Sequence, residues 1–233
     1  MKTRSKRYQA LLALVPKKEI WSIPEALEQL KKMNTAKFPE TVELSIKLGI
    51  DPKKADQMVR GTVTLPYGIG KKRKILVFAK GEKAQEAQAA GADYVGGPEL
   101  VAKVQEGWMD FDVVLATPDM MKDVSKLGKI LGPRGLMPSP KSGTVVENIK
   151  SAVSEIQAGK IVFKNDAGGK LHFPVGKINF PLPQLEENIH TVIQTVLKAK
   201  PPAARGNYIV SAYLSLTMSP ALKIQWAKTQ EKK

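Results

Sequence analysis

Two segments, one near each end of the chain, alternate between apolar and polar residues. This period of two is typical of β-strands with one buried and one solvent-facing side. The alternation runs through residues 41–50 and 207–218. The predicted buried sides consist of Val42, Leu44, Ile46 and Leu48 in the first segment and of Val210, Ala212, Leu214 and Leu216 in the second. The opposite sides carry mainly Ser, Thr and charged residues.

Two further segments have the three- and four-residue spacing of amphipathic helices. One covers residues 22–33, with Ser22 as its N-cap and Pro24 in its first turn. The other repeats apolar residues from Leu182 to Leu197 and ends before Pro201. These helices can cover one face of a sheet built from the two strands.

The middle third of the chain alternates between short apolar runs and helical segments. Strands are predicted at residues 74–79, 93–95 and 112–116, and helices at residues 82–90, 99–106, 119–131 and 145–158. Strands separated by helices of about ten residues indicate βαβ units around a parallel sheet. We therefore predict an open, Rossmann-like α/β domain over residues 68–159.

Neither end of the chain offers a complete layered core by itself. The simplest fold joins residues 1–67 and 160–233 in one discontinuous α+β domain, with the α/β domain inserted between them. Three small consecutive domains are the alternative. Pro66, Gly68 and Gly159 lie at the two crossings between the domains and are predicted to form a hinge that permits opening.

The 233-residue chain has a formal net charge of +15, and the excess of cations is concentrated at its ends. Residues 1–67 contain 13 Lys and Arg against 7 Asp and Glu, residues 68–159 contain 13 against 11, and residues 160–233 contain 11 against 4. If the ends meet in one domain, their cations share one surface. Such a surface favours a phosphate-rich partner, because each neutralised phosphate releases a counterion.

Composition argues against several other classes of protein. The absence of Cys excludes disulfides and thiolate chemistry, and with only two His, at 172 and 190, a transition-metal site has almost no ligands. We expect no metal and no cofactor. The basic start lacks a secretory signal, so the chain should stay in the compartment where it is made. Lys2 to Arg7 are expected to form an untethered, solvated end, with contact to RNA as the alternative.

Two glycine-rich loops are candidates for contacts with phosphates or partners. Residues 68–74 precede a strand, whereas a phosphate-binding loop connects a strand to a helix, so this run is interpreted as a solvated basic turn. Residues 132–143 contain three prolines and three glycines and predict a stiff loop. That loop is either a surface for a partner or a cover over the sheet.

The polar sides of the two alternating strands are the best candidate site. Phe38 follows Lys37 just before the first strand and can stack on a base or a sugar. The second strand carries Ser and Thr hydroxyls, which can hydrogen-bond to phosphates and 2′-hydroxyls. On a cationic domain these features together predict a surface that binds RNA.

Two other functions are alternatives. A nucleotide-dependent enzyme on the α/β insert would need a Gly-rich turn from strand to helix, which is missing. Neither His has an acid or a nucleophile at a spacing that would indicate a catalytic pair. A peripheral membrane protein would need a basic helix with a bulky apolar face, and residues 182–197 carry too few cations. We therefore expect neither an enzyme nor a membrane partner.

Several motifs resemble those of a known family. They are Lys37-Phe38 with Glu40-Thr41-Val42-Glu43, Arg60-Gly61-Thr62-Val63, GADYVGG from Gly91, GWMDFD from Gly107, LGPRGLMP from Leu131, and Thr217-Met218. The family is large ribosomal subunit protein one in its bacterial form, which forms a mobile stalk beside the tRNA exit site. The resemblance extends from about residue 3 to about residue 226, and the loop from Leu131 is its most specific part.

The resemblance implies a discontinuous domain that binds folded large-subunit ribosomal RNA and an inserted domain that projects toward departing tRNA. Residues that match RNA contacts of the family are Lys37, Phe38, Thr41, Glu43, Lys164, Asn165, Asp166, Ser211, Thr217, Met218 and Ser219. Glu43 would accept a hydrogen bond from a 2′-hydroxyl or a base amino group, which adds specificity.

The function that the resemblance implies is a structural constituent of the large ribosomal subunit that assists release of deacylated tRNA from the exit site. The family also commonly represses translation of its own messenger RNA. The expected partners are therefore large-subunit ribosomal RNA, exit-site tRNA and the chain's own messenger, with a monomer when free. The expected location is the cytoplasm of a bacterium, with a plastid as the alternative.

Ser219 departs from the family pattern, which usually has Gly after Thr-Met. Gly permits a positive φ or a close backbone approach. We therefore expect Ser219 to alter this turn or to loosen its contact with RNA.

Overall fold

The computed structural model describes residues 4–15 and 20–226. The packing of the chain divides it into two compact units, Met1–Gly70 with Phe163–Lys233 and Lys71–Val162. We call the first the sheet unit and the second the α/β unit. Both mix helices and strands, so the predicted α/β and α+β class is confirmed at this level, and the discontinuous two-domain arrangement stays a prediction.

The helices, including several of one turn, are α1 (Lys6–Ala13), α2 (Ile23–Lys32), α3 (Glu82–Ala89), α4 (Pro98–Gln105), α5 (Met121–Val124), α6 (Gly128–Leu131), α7 (Ile149–Gln157) and α8 (Leu182–Lys198). The strands are β1 (Thr41–Leu48), β2 (Arg60–Thr64), β3 (Ile75–Phe78), β4 (Tyr94–Gly96), β5 (Val113–Ala116), β6 (Lys160–Lys164), β7 (Lys170–Lys177), β8 (Ile209–Leu216) and β9 (Leu222–Ile224).

The sheet unit contains a four-stranded sheet in the order β7-β1-β8-β9, in which every neighbouring pair is antiparallel. The alternation predicted for the first strand is confirmed, because the four apolar side chains of β1 are buried. Helices α2 and α8 pack on this buried side. The other side, which we call the outer face, presents the polar residues of each strand.

Local chemistry explains why the two covering helices form. At the start of α2 the backbone N–H of Ser22 donates to the carboxylate of Glu25 at 3.1 Å, which satisfies one of the amides left free at the helix end. Helix α8 extends over 17 residues, and its apolar stripe, with Leu185, Ile189 and Val192, faces the sheet. Tertiary packing of these stripes is the main source of helix stability.

The orientation predicted for Val210 is wrong. Its side chain is 52% exposed, although the alternation of β8 predicted that it points inward. The pairing of β1 with β8 shifts at this point, since Lys47 lies opposite Ser211 and Leu48 lies opposite Ile209. Val210 is therefore the extra residue of a β-bulge, which reverses its direction relative to the sequence pattern.

The α/β unit contains a parallel sheet in the order β4-β3-β5 with an apolar cluster on each side. Two helices of this unit differ in extent from their predicted ranges, 119–131 and 145–158. Residues 118–131 form four short helical turns, and the hydroxyl of Ser125 donates to the Met121 carbonyl, a bond that often bends a helix. Val145 instead pairs with Ala116, and α7 begins only after Asn148, which caps it.

The glycine- and proline-rich loop of residues 132–143 is braced from within. The backbone N–H of Leu136 donates to the Leu131 carbonyl at 3.0 Å, and the side chains of Leu136 and Met137 pack against the apolar cluster of the α/β unit. Thr144 closes the other end of the loop, because its hydroxyl accepts a hydrogen bond from the Ser139 N–H at 2.9 Å. This geometry favours the second interpretation of the loop, a cover over the core.

Candidate nucleic-acid interface

Six of the residues predicted to contact RNA lie at or beside one end of the sheet, where β1 begins and β8 ends. The backbone N–H of Thr41 donates to the Thr217 hydroxyl at 3.2 Å. Lys177 Nζ, across the strand pair on β7, donates to the Thr41 hydroxyl at 2.9 Å and to the Pro39 carbonyl at 3.2 Å. We call Lys37, Phe38, Thr41, Thr217, Met218 and Ser219 the turn cluster.

Glu40 connects the start of β1 to the turn around Met218, and no role was predicted for it from the sequence. Its side chain is buried, and its Oε2 accepts a hydrogen bond from the backbone N–H of Met218 at 2.8 Å. Its own carbonyl accepts from Ile178 N–H at 3.0 Å. A buried carboxylate is costly unless it is hydrogen-bonded, and Oε1 finds no partner among the described residues. Glu40 therefore holds the Met218 turn against the start of β1.

The turn cluster presents apolar surface that the protein itself does not cover. Phe38 is 48% exposed and Met218 is 44% exposed, while Lys37 is also exposed. An aromatic ring and a thioether in this position can contact the faces of bases or sugars. The exposed side chains lie on a backbone that Thr41 and Glu40 hold in place, so the surface is organised before a partner binds.

Ser219 is accommodated in the turn without backbone strain. No residue other than glycine has a positive φ among the described residues, so Ser219 does not need the conformation that favours Gly. Its hydroxyl accepts from the Leu216 N–H at 2.9 Å and donates to the Pro220 carbonyl at 3.0 Å. The serine therefore closes the turn with its own side chain, a local motif typical of Ser and Thr.

Arg7 also reaches the turn cluster. Its Nη2 donates to the Met218 carbonyl at 3.2 Å and its Nη1 to the Thr35 hydroxyl at 3.4 Å. The N-terminal basic run was expected to be an untethered, solvated end; Arg7 is exposed, but its hydrogen bonds show that it is tethered. Lys2 and Thr3 of the same run lie outside the described residues. A guanidinium beside Met218 adds a positive charge that can pair with a phosphate.

A second group of predicted residues lies at the opposite end of β1. Lys164 is the last residue of β6, and Asn165 and Asp166 begin the connection from β6 to β7; we call these three residues the hairpin cluster. Gly169 of the same connection accepts a hydrogen bond from Leu48 at the end of β1. Strand β1 has eight residues, so the two clusters are separated by roughly 20 Å along the sheet. The predicted contacts thus form two patches.

The side chains of Asn165 and Asp166 form hydrogen bonds within the protein. Asn165 is buried, its Oδ1 accepts from Val59 N–H at 2.9 Å and its Nδ2 donates to the Asp166 carbonyl at 3.1 Å. Asp166 Oδ1 accepts from the N–H groups of Lys170 and Gly168, and these hydrogen bonds lower the pKa of Asp166. The geometry gives both residues a bracing role, and their contact with RNA stays a prediction.

Glu43 and Ser211 lie on the outer face between the two clusters. Glu43 is exposed and lies opposite Ser215 on β8 and Pro174 on β7. Ser211 is partly exposed beside the bulge and lies opposite Lys47. Both side chains therefore share the outer face with Thr41, as their alternation in the sequence predicted.

Two of the predicted hinge residues are glycines with positive φ, and one of them accepts a hydrogen bond from a buried side chain of α8. Gly68 has φ 63° and Gly159 has φ 107°, which only glycine adopts readily. The side chain of Asn188, buried in α8, accepts from Tyr67 N–H at 3.3 Å and donates to the Gly68 carbonyl at 3.1 Å. Tyr67 and Gly68 are therefore anchored to α8 of the sheet unit, and the hinge itself stays a prediction.

The α/β unit pairs some of its cations with its own acids. In the basic run before β3, Lys71 lies 2.8 Å from Asp112 and Lys74 lies 2.6 Å from Asp110. The hydrogen bond from Lys74 lowers the pKa of Asp110, and that from Lys71 lowers the pKa of Asp112. These pairs support the interpretation of the run as a solvated basic turn.

The α/β unit contains a hollow of about 550 Å³, the place where the alternative enzyme would bind a nucleotide. Its lining consists of Tyr94, Leu100, Lys103, Glu106 and Trp108. The lining contains no Ser, Thr, His or Cys that could act as an activated nucleophile. Across residues 4–15 and 20–226, no group of three or more His, Cys, Asp or Glu could hold a metal ion, and no helix is long and apolar enough to span a bilayer.

Comparisons with known proteins agree with the sequence motifs. A family model described as "Ribosomal protein L1p/L10e family" matches residues 30–220. A protein of Kosmotoga olearia named "Large ribosomal subunit protein uL1" is 51% identical over 231 residues, which cover 99% of this chain and 100% of that protein. The range that the family model matches contains every residue predicted to contact RNA.

Proposed function

Because the chain belongs to the ribosomal protein L1p/L10e family, we propose that it is a structural component of the large ribosomal subunit whose sheet unit binds large-subunit ribosomal RNA. The observation that carries this proposal is the turn cluster. The Thr41 N–H donates to the Thr217 hydroxyl and the Met218 N–H donates to the Glu40 carboxylate, while the side chains of Phe38 and Met218 remain exposed. The family consists of ribosomal proteins, and the chain is not an enzyme.

Electrostatics supply the general attraction in this proposal. Lys37 is exposed in the turn cluster, Lys164 is exposed in the hairpin cluster, and Lys47 lies on the outer face between them. None of the three has a carboxylate partner among the described residues. Each can neutralise a phosphate and release a counterion, which makes the affinity fall with salt.

Shape and hydrogen bonding supply the specificity. Folded RNA is recognised through unpaired bases, 2′-hydroxyls and stacking on aromatic rings. In the turn cluster Phe38 offers a ring and Thr217 a hydroxyl, and Glu43 is a carboxylate that only accepts hydrogen bonds. A carboxylate repels a phosphate, so its partner is a 2′-hydroxyl or a base amino group.

We further propose that the two units are separate domains, the α/β unit being inserted into a discontinuous RNA-binding domain. Rotation at the crossings would let the inserted domain follow tRNA as it leaves the exit site. Gly159 supports this arrangement with a conformation suited to a bend, and Asn188 limits movement at the other crossing to residues after Gly68. The same RNA-binding surface would recognise a copy of the ribosomal site in the chain's own messenger and repress its translation.

The test is a filter-binding titration of the full chain with deproteinised large-subunit ribosomal RNA. We expect Phe38→Ala and Thr217→Ala each to weaken binding by about 1–3 kcal/mol, the scale of a lost stack or a lost polar contact. Leu197→Ala and Thr195→Ala are matched controls on α8, which packs on the other side of the sheet, and should bind as the unmodified chain does. Unchanged affinity for the first pair would refute this site.

A further inference from the structure

The pairing of the strands aligns four side chains in one row across the outer face. Ser45 on β1 lies opposite His172 on β7 and opposite Tyr213 on β8, and Tyr213 lies opposite Lys223 on β9. Directly opposed residues point to the same side of a sheet. The row therefore crosses all four strands. Ser45 and Tyr213 lie on the polar sides predicted to bind RNA, but no member of the row was among the individual residues predicted as contacts.

Tyr213 is the exposed aromatic residue of this row. Its side chain is 37% exposed in the middle of a strand whose apolar neighbours, Ala212 and Leu214, are buried. On one side of it the Ser45 hydroxyl and His172 Nδ1 are 3.0 Å apart, so these two polar groups satisfy each other. The ring therefore lies between the hydrogen-bonded pair of Ser45 and His172 and the exposed side chain of Lys223.

Charge on the outer face favours a polyanion. A second row next to the first places Lys170 and Lys47 opposite each other, with Ser211 on the far side of Lys47. Lys47, Lys170 and Lys223 are exposed, and no ion pair joins any of them to an acid within the described part of the chain. Glu43 is an acid on this face and Asp166 lies 3.9 Å from His172 at its edge, so the three lysines outnumber these two acids.

The row also lies between the two predicted patches. Ser45 is at the middle of β1, with the turn cluster at the beginning of the strand and the hairpin cluster at its end. An RNA that contacts both clusters has to pass over Ser45 and its neighbours. A ring exposed on an open four-stranded sheet is a surface on which unpaired bases stack.

We infer that an unpaired base of the bound ribosomal RNA stacks on Tyr213, with Lys47 and Lys223 neutralising the phosphates on either side. This inference rests on the proposed function and extends it from the two ends of the sheet to its centre. The ring supplies a contact that tolerates different bases, and the lysines supply charge. The surface therefore fits a single-stranded loop or bulge of a folded RNA.

The ring is tested with two substitutions of the full chain, titrated with deproteinised large-subunit ribosomal RNA. Tyr213→Thr removes the ring but keeps a residue suited to a strand, and should weaken binding about 5- to 30-fold. Tyr213→Phe keeps the ring and should bind within about twofold of the unmodified chain. Thermal unfolding of both variants checks that the fold is retained, and rescue by Phe separates stacking from a structural effect.

The charge is tested with matched pairs of lysines. Removing two phosphate contacts through Lys47→Gln with Lys223→Gln should reduce the slope of log affinity against log salt by about 1.4 to 1.8. Lys198→Gln with Lys200→Gln removes the same charge at the end of α8, on the other side of the sheet, and should leave the slope unchanged. Equal slopes for the two pairs would contradict the role of the outer-face lysines.

Failure of this inference can be told from failure of the proposed function. If Tyr213→Thr binds like the unmodified chain while Phe38→Ala and Thr217→Ala bind weakly, the RNA occupies the turn cluster and the inference about the centre is wrong. If Tyr213→Phe is as weak as Tyr213→Thr, the hydroxyl and not the ring is responsible, which also refutes stacking. If the unmodified chain shows no specific binding, both proposals fail.

Discussion

The sheet unit and the α/β unit contain cations at almost the same density, but they differ in how many of those cations are paired with acids. The sheet unit has 23 Lys and Arg against 11 Asp and Glu in 141 residues, and the α/β unit has 14 against 11 in 92 residues. In the α/β unit Lys71, Lys74, Lys80, Lys126 and Lys160 each lie beside a carboxylate. In the described part of the sheet unit only His172 and His190 do so.

This difference shows that a count of basic residues does not by itself identify an RNA-binding surface. A lysine beside a carboxylate attracts a phosphate less strongly, because the neighbouring negative charge offsets its own. Lys37, Lys47 and Lys164 of the sheet unit are exposed and can exchange counterions for phosphates. The availability of the cations therefore separates the two units better than their number, and each prediction below tests this contrast.

The largest effect is expected from the buried acid of the sheet unit. Glu40→Ala leaves the Met218 N–H without its acceptor, which should lower the free energy of unfolding by about 1–3 kcal/mol and weaken RNA binding at least tenfold, about 1.4 kcal/mol. Glu40→Gln keeps an acceptor oxygen and should restore most of both. Denaturant unfolding and filter binding measure the two effects.

Glu28→Ala provides the control for Glu40, since Glu28 is an exposed acid on α2 of the same unit. It should change neither stability nor affinity appreciably. A Glu40→Ala variant that binds RNA as tightly as Glu28→Ala would show that Glu40 does not position the Met218 turn.

The next effect compares one lysine from each unit. Lys37→Gln removes an unpaired cation from the turn cluster and should lower the salt slope of RNA binding by about 0.7 to 0.9, the contribution of one phosphate contact. Lys74→Gln removes a lysine that is paired with Asp110 and should leave the slope unchanged. Titrations at four salt concentrations measure both slopes. A larger change in slope for Lys74→Gln than for Lys37→Gln would contradict the difference proposed between the two units.

Acid should weaken the α/β unit before the sheet unit. Hydrogen bonds from lysines lower the pKa values of Asp110, Asp112, Asp123 and Glu155. A group whose pKa is lowered on folding stabilises the fold above its unfolded pKa, near 4, and this contribution disappears as pH falls through the lower folded value. Amide exchange in the full chain between pH 5 and pH 3 should therefore show protection lost first in residues 71–162.

Asp110→Asn is the control for the acid experiment, because it removes one of the shifted groups. Its α/β unit should be less sensitive to the change in pH than that of the unmodified chain. Earlier loss of protection in the sheet unit would contradict the assignment of stabilising pairs to the α/β unit.

The smallest effect concerns a tyrosine of the sheet unit. Burial raises the pKa of Tyr208 to about 12, and its hydroxyl has no partner among the described residues. Ionisation of Tyr208 does not affect stability below pH 10, its unfolded pKa. As pH rises from 10 to 12 the folded protein loses stability, because the tyrosine can ionise in the unfolded chain and not in the folded one. Tyr208→Phe should match or exceed the unmodified chain at pH 7 by up to about 1 kcal/mol and lose less stability at pH 11.

Denaturant unfolding at the two pH values measures the effect of Tyr208→Phe. The result would contradict the account if the Phe variant were much less stable at pH 7, because that would reveal a hydrogen bond of the hydroxyl.

The elements that were predicted correctly are those whose pattern is local. The alternation of β1 and the spacing of α8 follow from burial on one side, and the structure confirms both. The inward direction of Val210 is wrong because a bulge depends on the partner strand, which the sequence of β8 does not show. The continuous helix over residues 119–131 is wrong because short turns with side-chain hydrogen bonds replace it.

The parts of the site that could not be predicted depend on distant contacts. Glu40 and Met218 are 178 positions apart, and Arg7 and Met218 are 211 positions apart. No local pattern links them. The row through Tyr213 likewise follows from the register of four strands. The resemblance to a family identified exposed residues of the turn cluster, and only the folded chain shows what holds them in position.

Hydrogen exchange of the full chain, with and without deproteinised large-subunit ribosomal RNA, tests the central claim most directly. The account predicts that RNA protects residues 35–47 and 209–219 of the sheet unit and leaves residues 71–162 unchanged. Protection confined to residues 71–162, with the outer face and the turn cluster exchanging as in the free protein, would contradict it.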